Sequence, residues 1–192
     1  MDRHSGALLS GCNSRRGRGQ VGSADSNDGV SLPLKAFFIP KEYNDETLTH
    51  DVAMVLMVST RPAVAIPVAT PSVQIDINEP LTVAGFGDTQ FGGEPSDELL
   101  EGKVPYVSNK TCSRVYDEIA PGMMCAGTES GWTDACPGDS GGPLTKGNGP
   151  EDAILIGIIS WGDGCGMPLK YGVYTRVASE LEWIIKVMST HR

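Results

Sequence analysis

The sequence is poor in the features that membrane, nucleic-acid and metal functions require. No apolar run reaches the roughly eighteen residues of a membrane-spanning helix. Lys and Arg number 15 against 24 Asp and Glu, for a net charge of -9. A basic surface for nucleic acid is therefore not expected, because phosphate binding needs positive charge. The five cysteines form no CxxC or zinc-like Cys/His spacing, so we expect no metal site and no cofactor.

The first 20 residues also lack a secretory signal, since their apolar stretch is only the four residues GALL. Taken alone, that favours a cytosolic protein or a chain whose true start is missing. The cysteines favour the opposite compartment, because four of the five lie among Gly-rich turns, as in an oxidised domain. The odd count leaves one unpaired, and we expect it to be Cys12, 100 residues before the next cysteine.

Short runs of β-branched and aromatic residues, separated by Gly and Pro, dominate the chain after residue 29 and predict strands. The predicted strands are 31–39, 51–58, 80–86, 103–107, 142–145, 153–161 and 171–177. Residues 1–29 are rich in Gly, Ser, Arg and Asn and predict loop or disorder. We expect the proline-containing stretch 59–80 to connect two β halves.

One helix is predicted, over residues 178–189. Its apolar positions Leu181, Ile184, Ile185 and Met188 share one face at helical spacing. Many short strands and a terminal helix indicate an all-β barrel or sandwich.

The stretch DACPGDSGGP, residues 134–143, contains one serine among glycines. A serine hydroxyl becomes a nucleophile only beside a base, with backbone N–H groups aimed at the developing oxyanion. Glycine permits the unusual backbone that such a loop needs. The alternative is a Gly-rich hairpin with an ordinary turn serine.

The wider pattern resembles the trypsin-like, chymotrypsin-fold serine proteases. DACPGDSGGP is similar to their nucleophile loop, and GIISWGDGCG, YGVYTRV and a closing helix with Trp183 follow in the family's order. Upstream, THDVAMVLM (49–57) resembles the strand that carries the triad aspartate, and GMMCAG (122–127) a disulfide segment. The resemblance covers roughly residue 21 to the C-terminus. It implies two packed antiparallel barrels, and we expect the first to be incomplete, because the family's early strands have no counterpart here.

The resemblance implies a catalytic role for each matched residue. Ser140 would be the nucleophile, and the N–H groups of Gly138 and Ser140 would form the oxyanion hole. Asp51 would orient a histidine; it precedes Ser140 by 89 residues, against roughly 93 in the triad template. The alternative for Asp51 is a cap at a strand end.

A second group of matched residues implies specificity for Arg or Lys before the cut bond. Asp134 would lie at the base of the primary pocket, where a carboxylate pairs with a basic side chain. Gly162 and Gly172 would leave room along the pocket wall, and Ser160 would also belong to the substrate-binding residues. The alternative for Asp134 is a surface turn acid.

The cysteines and Asp139 fit the same alignment. The implied disulfides are Cys112–Cys125 and Cys136–Cys165. In active family members a freed N-terminal amine pairs with the acid before the nucleophile, here Asp139. Without that amine, Asp139 needs another donor to keep the oxyanion hole in shape.

The chain offers three candidates for the catalytic histidine, His4, His50 and His191. His191 is next to the C-terminus and predicted to be solvated. His50 precedes Asp51 directly, and neighbours in a strand point to opposite faces. His4 remains, 47 residues before Asp51 against roughly 45 in the template.

Two alignments of this region stay open. In one, His4 is the base and Ser5 replaces the family's cysteine. In the other, LLSGC replaces the family's Ala-Ala-His-Cys motif, and Gly11 stands where histidine should be.

We therefore expect one peptidase domain over 1–192. Residues 1–20 would be irregular, 21–70 a partial N-terminal barrel, 71–177 mainly the C-terminal barrel, and 178–189 a helix. The predicted function is a secreted, monomeric serine endopeptidase that cuts proteins or peptides after Arg or Lys through an acyl-enzyme. The alternatives are an inactive homologue that binds or inhibits another protein, and a truncated gene product.

Overall fold

The N-terminal part of the fold is an open antiparallel sheet of four strands. The structure, a computed structural model, describes residues 12–13, 18–59 and 64–191. The strands are β1 (Cys12–Asn13), β2 (Arg18–Val21), β3 (Val30–Phe38) and β4 (Met54–Met57). They lie side by side in chain order, and each pairs antiparallel with the next.

Strands β1 and β2 correct the prediction that residues 1–29 are loop or disorder. Arg18 to Val21 pair residue by residue with Pro33 to Val30 of β3. The segment RGQV has no alternating apolar pattern, and Gln20 and Val21 are exposed. Backbone pairing with β3 therefore forms this strand, and pairing of that kind leaves no signal in local composition.

The C-terminal part is a closed six-stranded barrel in the order β10-β7-β6-β5-β8-β9. Its strands are β5 (Pro80–Gly85), β6 (Leu100–Val107), β7 (Met123–Ala126), β8 (Pro143–Lys146), β9 (Ile154–Trp161) and β10 (Gly172–Arg176). All neighbouring pairs are antiparallel. Closure leaves no open edge in this half.

The main hydrophobic core fills the barrel. Its largest fully buried side chains come from all six strands of the barrel: Leu81, Val104, Met124, Leu144, Ile156 and Tyr174. A second, smaller cluster lies under the short helix α1 (Asn109–Cys112) and contains both cysteines of the Cys112–Cys125 disulfide.

The C-terminal helix α2 (Val177–Thr190) begins directly after β10. Its buried face differs from the predicted one: Val177, Glu180 and Ile184 are buried, whereas Ile185 and Met188 are 56% and 57% exposed. All three buried positions lie in the first eight residues of the helix, and none of its last six residues is buried. Met188 there lines an open apolar groove of about 210 Å³ with Phe38 and Met54.

The open sheet, the closed barrel and the terminal helix confirm the predicted all-β, chymotrypsin-type fold. Residues 64–79 join the two halves without a helix or a named strand of their own. Neither described helix has the length and apolar character needed to cross a bilayer.

Candidate active site

Asp51 is a buried carboxylate, only 4% exposed, at the approach to β4. Its Oδ2 accepts a hydrogen bond from Ser160 Oγ at 2.6 Å, and its backbone oxygen accepts one from Thr175 Oγ1 at 2.7 Å. Burial raises the pKa of Asp51, and the hydrogen bond from Ser160 partly opposes that rise. Both donors belong to the barrel, so the barrel fixes this acid of the other half.

The hydroxyl of Ser160 has a partner that the sequence did not indicate. The resemblance placed Ser160 among the substrate-binding residues, whereas in the structure its side chain donates to Asp51. These two residues are 109 positions apart, and Thr175 is 124 positions from Asp51. A contact at that separation leaves no local pattern, and the only signal for it was the order of the family motifs.

His50 lies in a turn rather than in a strand. Its φ is 54°, and the N–H of Val52 donates to the His50 carbonyl oxygen at 2.8 Å. Its ring points to helix α2, where Nδ1 lies 2.9 Å from Glu180 Oε1. The strand geometry expected at His50 was therefore wrong, and its Nδ1 is engaged by Glu180.

The loop around Ser140 is fastened to β9 through backbone hydrogen bonds. The N–H of Gly141 donates to the Ile159 oxygen at 2.8 Å, and the Ile159 N–H donates to the Gly142 oxygen at 2.9 Å. Gly138 has φ 96°, and a Cβ there would lie 2.9 Å from Gly87 Cα. Only glycine satisfies both conditions, so the loop before Ser140 depends on its sequence.

Asp139 finds donors in the backbone. Gly87 N–H donates to its Oδ1 at 2.8 Å and Cys136 N–H to its Oδ2 at 2.9 Å. An added Cβ would come within 1.9 Å of Oδ1 at Gly85 and 2.7 Å at Gly87. Two glycines thus make room for this carboxylate, and the donors that the sequence left unidentified are amide groups.

Asp134 lies at the turn that the Cys136–Cys165 disulfide ties to the loop at Gly166. Its Oδ1 accepts from Ala135 N–H at 2.9 Å and its Oδ2 from Gly166 N–H at 3.1 Å. Burial raises the pKa of Asp134 to about 6; the two amide hydrogen bonds oppose the rise, and the charge of Asp139 adds to it.

Gly172 and Tyr174 border the Asp134 carboxylate. A Cβ on Gly172 would lie 2.9 Å from Asp134 Oδ1 and 2.9 Å from the Tyr174 hydroxyl oxygen. Within the described residues that hydroxyl is buried without a hydrogen-bond partner. Burial and the charge of Asp134 raise the pKa of Tyr174, so the phenol stays protonated. Sequence reasoning missed Tyr174, which lies inside an apolar strand pattern.

A cavity of about 590 Å³ is lined by Asp134, Asp139 and Gly166 among others, and by neither Gly172 nor Tyr174. Four carboxylates line it, from Asp88, Glu101, Asp134 and Asp139, and the described lining contains no Lys, Arg or His. A low-dielectric cleft with charge of one sign attracts the opposite charge. The arrangement is suited to a cationic group.

The remaining predicted residues fall into three groups. Both implied disulfides, Cys112–Cys125 and Cys136–Cys165, are present. His191 is exposed, with its ring 4.3 Å from that of Phe38. His4 and Gly11 lie outside the described residues, as does the side chain of Cys12.

Comparison with known proteins gives the family. The trypsin family profile matches residues 11–184. Trypsin eta of Drosophila melanogaster is 39% identical over 184 residues, which are 89% of this chain and 67% of that protein. Human transmembrane protease serine 11A is 39% identical over 79% of this chain and 38% of its own length.

Coagulation factor XII of Sus scrofa is 40% identical over 80% of this chain and 28% of its own length. The chain thus spans about two thirds of the Drosophila trypsin and much less of the two longer proteins. The profile and these relatives agree, and the chain belongs to the trypsin family, which makes it by family a serine endopeptidase.

Proposed function

We propose that the chain cleaves peptide bonds after Arg or Lys. The observation that carries this specificity is the half-buried Asp134 carboxylate, in contact with a cavity whose described lining bears no positive charge. A basic side chain that entered would pair with Asp134, whereas an apolar one would leave the carboxylate buried and unpaired.

In this proposal the reaction passes through an acyl-enzyme on Ser140. The Ser140 oxygen attacks the scissile carbonyl carbon, and its proton passes to an imidazole. The protonated imidazole then gives that proton to the departing amine, and water repeats the sequence to release the acid. The base is assigned to His4, outside the described residues.

The negative charge that develops on the carbonyl oxygen falls to the N–H groups of Gly138 and Ser140. Support comes from the glycine-dependent backbone at Gly138 and from the amide donors that hold Asp139 between them. Asp51 keeps the base in its correct tautomer and stabilises it when charged, as a buried acid does in this chemistry. Burial of Asp51 and its bond to Ser160 support that role.

We also propose the setting in which this activity operates. Two disulfides favour an oxidising, extracellular compartment. The substrates are proteins or peptides with exposed basic residues, and the acidic net charge of -9 makes nucleic acid a poor partner. We propose a monomer in which residues 1–192 form a single peptidase domain.

The test combines an Arg ester with a fluorophosphonate probe. The wild-type chain should show a burst of alcohol release and label on Ser140, and S140A should show neither. H4Q should show no burst, and the loop around Ser140 should stay folded. A chain that neither turns over nor takes the label would be a non-catalytic homologue, and an active H4Q would remove His4 from the assignment.

A further inference from the structure

Helix α2 contains a buried carboxylate that the proposed reaction does not use. Glu180 is 3% exposed and lies in the first turn of α2. The helix N-terminus favours an anion there, but a buried charge still requires a hydrogen-bonded partner. Gly122 borders it, with an added Cβ 3.9 Å from Oε1.

The partner of Glu180 is the residue next to the proposed triad acid. His50 Nδ1 lies 2.9 Å from Oε1 and 3.2 Å from Oε2. An ionised carboxylate only accepts, so Nδ1 carries the hydrogen and donates it. The His50 side chain is 44% exposed, so the reason for its placement is this contact rather than burial.

The backbone at this point is strained in a way that the contact can offset. Leu48 and His50 have φ of 53° and 54°, a left-handed conformation that is unfavourable for a non-glycine residue. The His50 carbonyl oxygen accepts from Val52 N–H at 2.8 Å, a turn with Asp51 at its centre. Whatever holds His50 in this conformation therefore sets the direction of Asp51.

We propose that the His50–Glu180 pair is a positioning device that aims the Asp51 carboxylate at the active site. The inference rests on the proposed function. Three consecutive elements of the barrel half then fasten this short segment: Ser160 of β9 at the carboxylate, Thr175 of β10 at the backbone oxygen, and Glu180 of α2 at His50. Because Ser140 lies in the same half, the acid and the nucleophile share one rigid support.

Two substitutions distinguish loss of the His50–Glu180 contact from a change in the backbone conformation at residue 50. H50G keeps the left-handed conformation and removes the donor. H50N tolerates the same conformation and can place an amide N–H where Nδ1 was. E182Q removes a charge from an exposed position of the same helix and serves as the control.

For the Arg ester, H50G should lower kcat about tenfold, the size of one lost charge-assisted hydrogen bond, with KM within about twofold. H50N should recover kcat to within about threefold of wild type, and E182Q should match wild type. The kcat of the double variant H50G/E180Q should be no lower than that of H50G, because E180Q also removes the carboxylate that H50G leaves unpaired.

Hydrogen exchange at the Val52 amide provides a readout that does not depend on activity. It should be about tenfold faster in H50G than in wild type and restored in H50N. A wild-type chain without turnover would end the proposed function, and the exchange rates would still decide this inference. The inference is overturned if H50G keeps wild-type kcat and exchange, if H50N fails to recover, or if KM and kcat deteriorate together with the unfolding midpoint.

Discussion

At the scale of single residues, the buried Asp51 and the half-buried Asp134 have different environments. Asp51 accepts from a hydroxyl, whereas Asp134 accepts from two amides and faces an acidic cavity. Both acids could be proposed from the family motif, but their environments could not, because Ser160 and Gly166 lie 109 and 32 residues away from them. Sequence thus singled out both carboxylates, whose catalytic and binding roles stay predictions, and left open which groups shift their pKa.

The raised pKa of Asp134 should make the preference for an Arg ester over an apolar ester depend on pH. Its pKa rises from 3.8 to about 6, so the carboxylate that binds a cation is lost as pH falls through 6. The value of kcat/KM for an Arg ester should therefore fall below pH 6 more steeply than that for an apolar ester. D134N should abolish this difference, because the pH dependence of kcat/KM would then come only from the catalytic base for both substrates.

The raised pKa of Asp134 affects stability in the direction opposite to its effect on substrate binding. The folded chain binds a proton at Asp134 more tightly than the unfolded chain, so between pH 4 and 6 this group stabilises the fold less as pH rises. Urea unfolding of wild type and D134N across that window measures the difference. A D134N profile parallel to wild type would contradict the assignment.

At the scale of elements, amino-acid composition predicted the strands that bury β-branched side chains. It missed β2, which is held by backbone pairing with β3 and buries few apolar side chains. Strand β9, ILIGIISW, was predicted nearly to the residue. Strand β7, MMCA, was noticed only as a disulfide segment, because Met and Cys are weak strand signals although all four residues are buried. Helix α2 was predicted within one residue at each end, and its buried face was not, because burial ends at Ile184, about halfway along the helix.

The approach of the loop after β5 to the loop before β8 yields a prediction at this scale. G87A would place a Cβ 2.7 Å from the Asp139 carboxylate and 2.7 Å from the Pro137 oxygen. Asp139 must then move, and the N–H groups of the oxyanion hole move with it. We expect kcat/KM for the Arg ester to fall about 100-fold, as when an oxyanion donor is removed.

G149A is the matched control for G87A, since no atom lies within 4 Å of a Cβ added at Gly149. It should keep wild-type kinetics. Fluorophosphonate labelling of Ser140 should slow in G87A in parallel with ester hydrolysis. Full activity in G87A would mean that Asp139 does not shape the hole.

At the scale of the whole molecule, both disulfides should stabilise the fold, but only one of them should affect catalysis. Each closes a loop, with sequence separations of 13 for Cys112–Cys125 and 29 for Cys136–Cys165, so chain entropy assigns about 3 to 4 kcal/mol to each. Only the second joins the Asp134 turn to the loop whose Gly166 amide holds that carboxylate. The first joins the end of α1 to β7, within the smaller core cluster.

C112A/C125A and C136A/C165A should therefore lose similar unfolding free energy in urea but differ in catalysis. Below the unfolding transition, C112A/C125A should keep kcat/KM for the Arg ester within about threefold of wild type. C136A/C165A should lose about tenfold or more, mainly through KM, because the pocket acid loses its tie to Gly166. Equal catalytic losses in the two variants would mean that the barrel responds as one unit, and that the specificity pocket has no separate support.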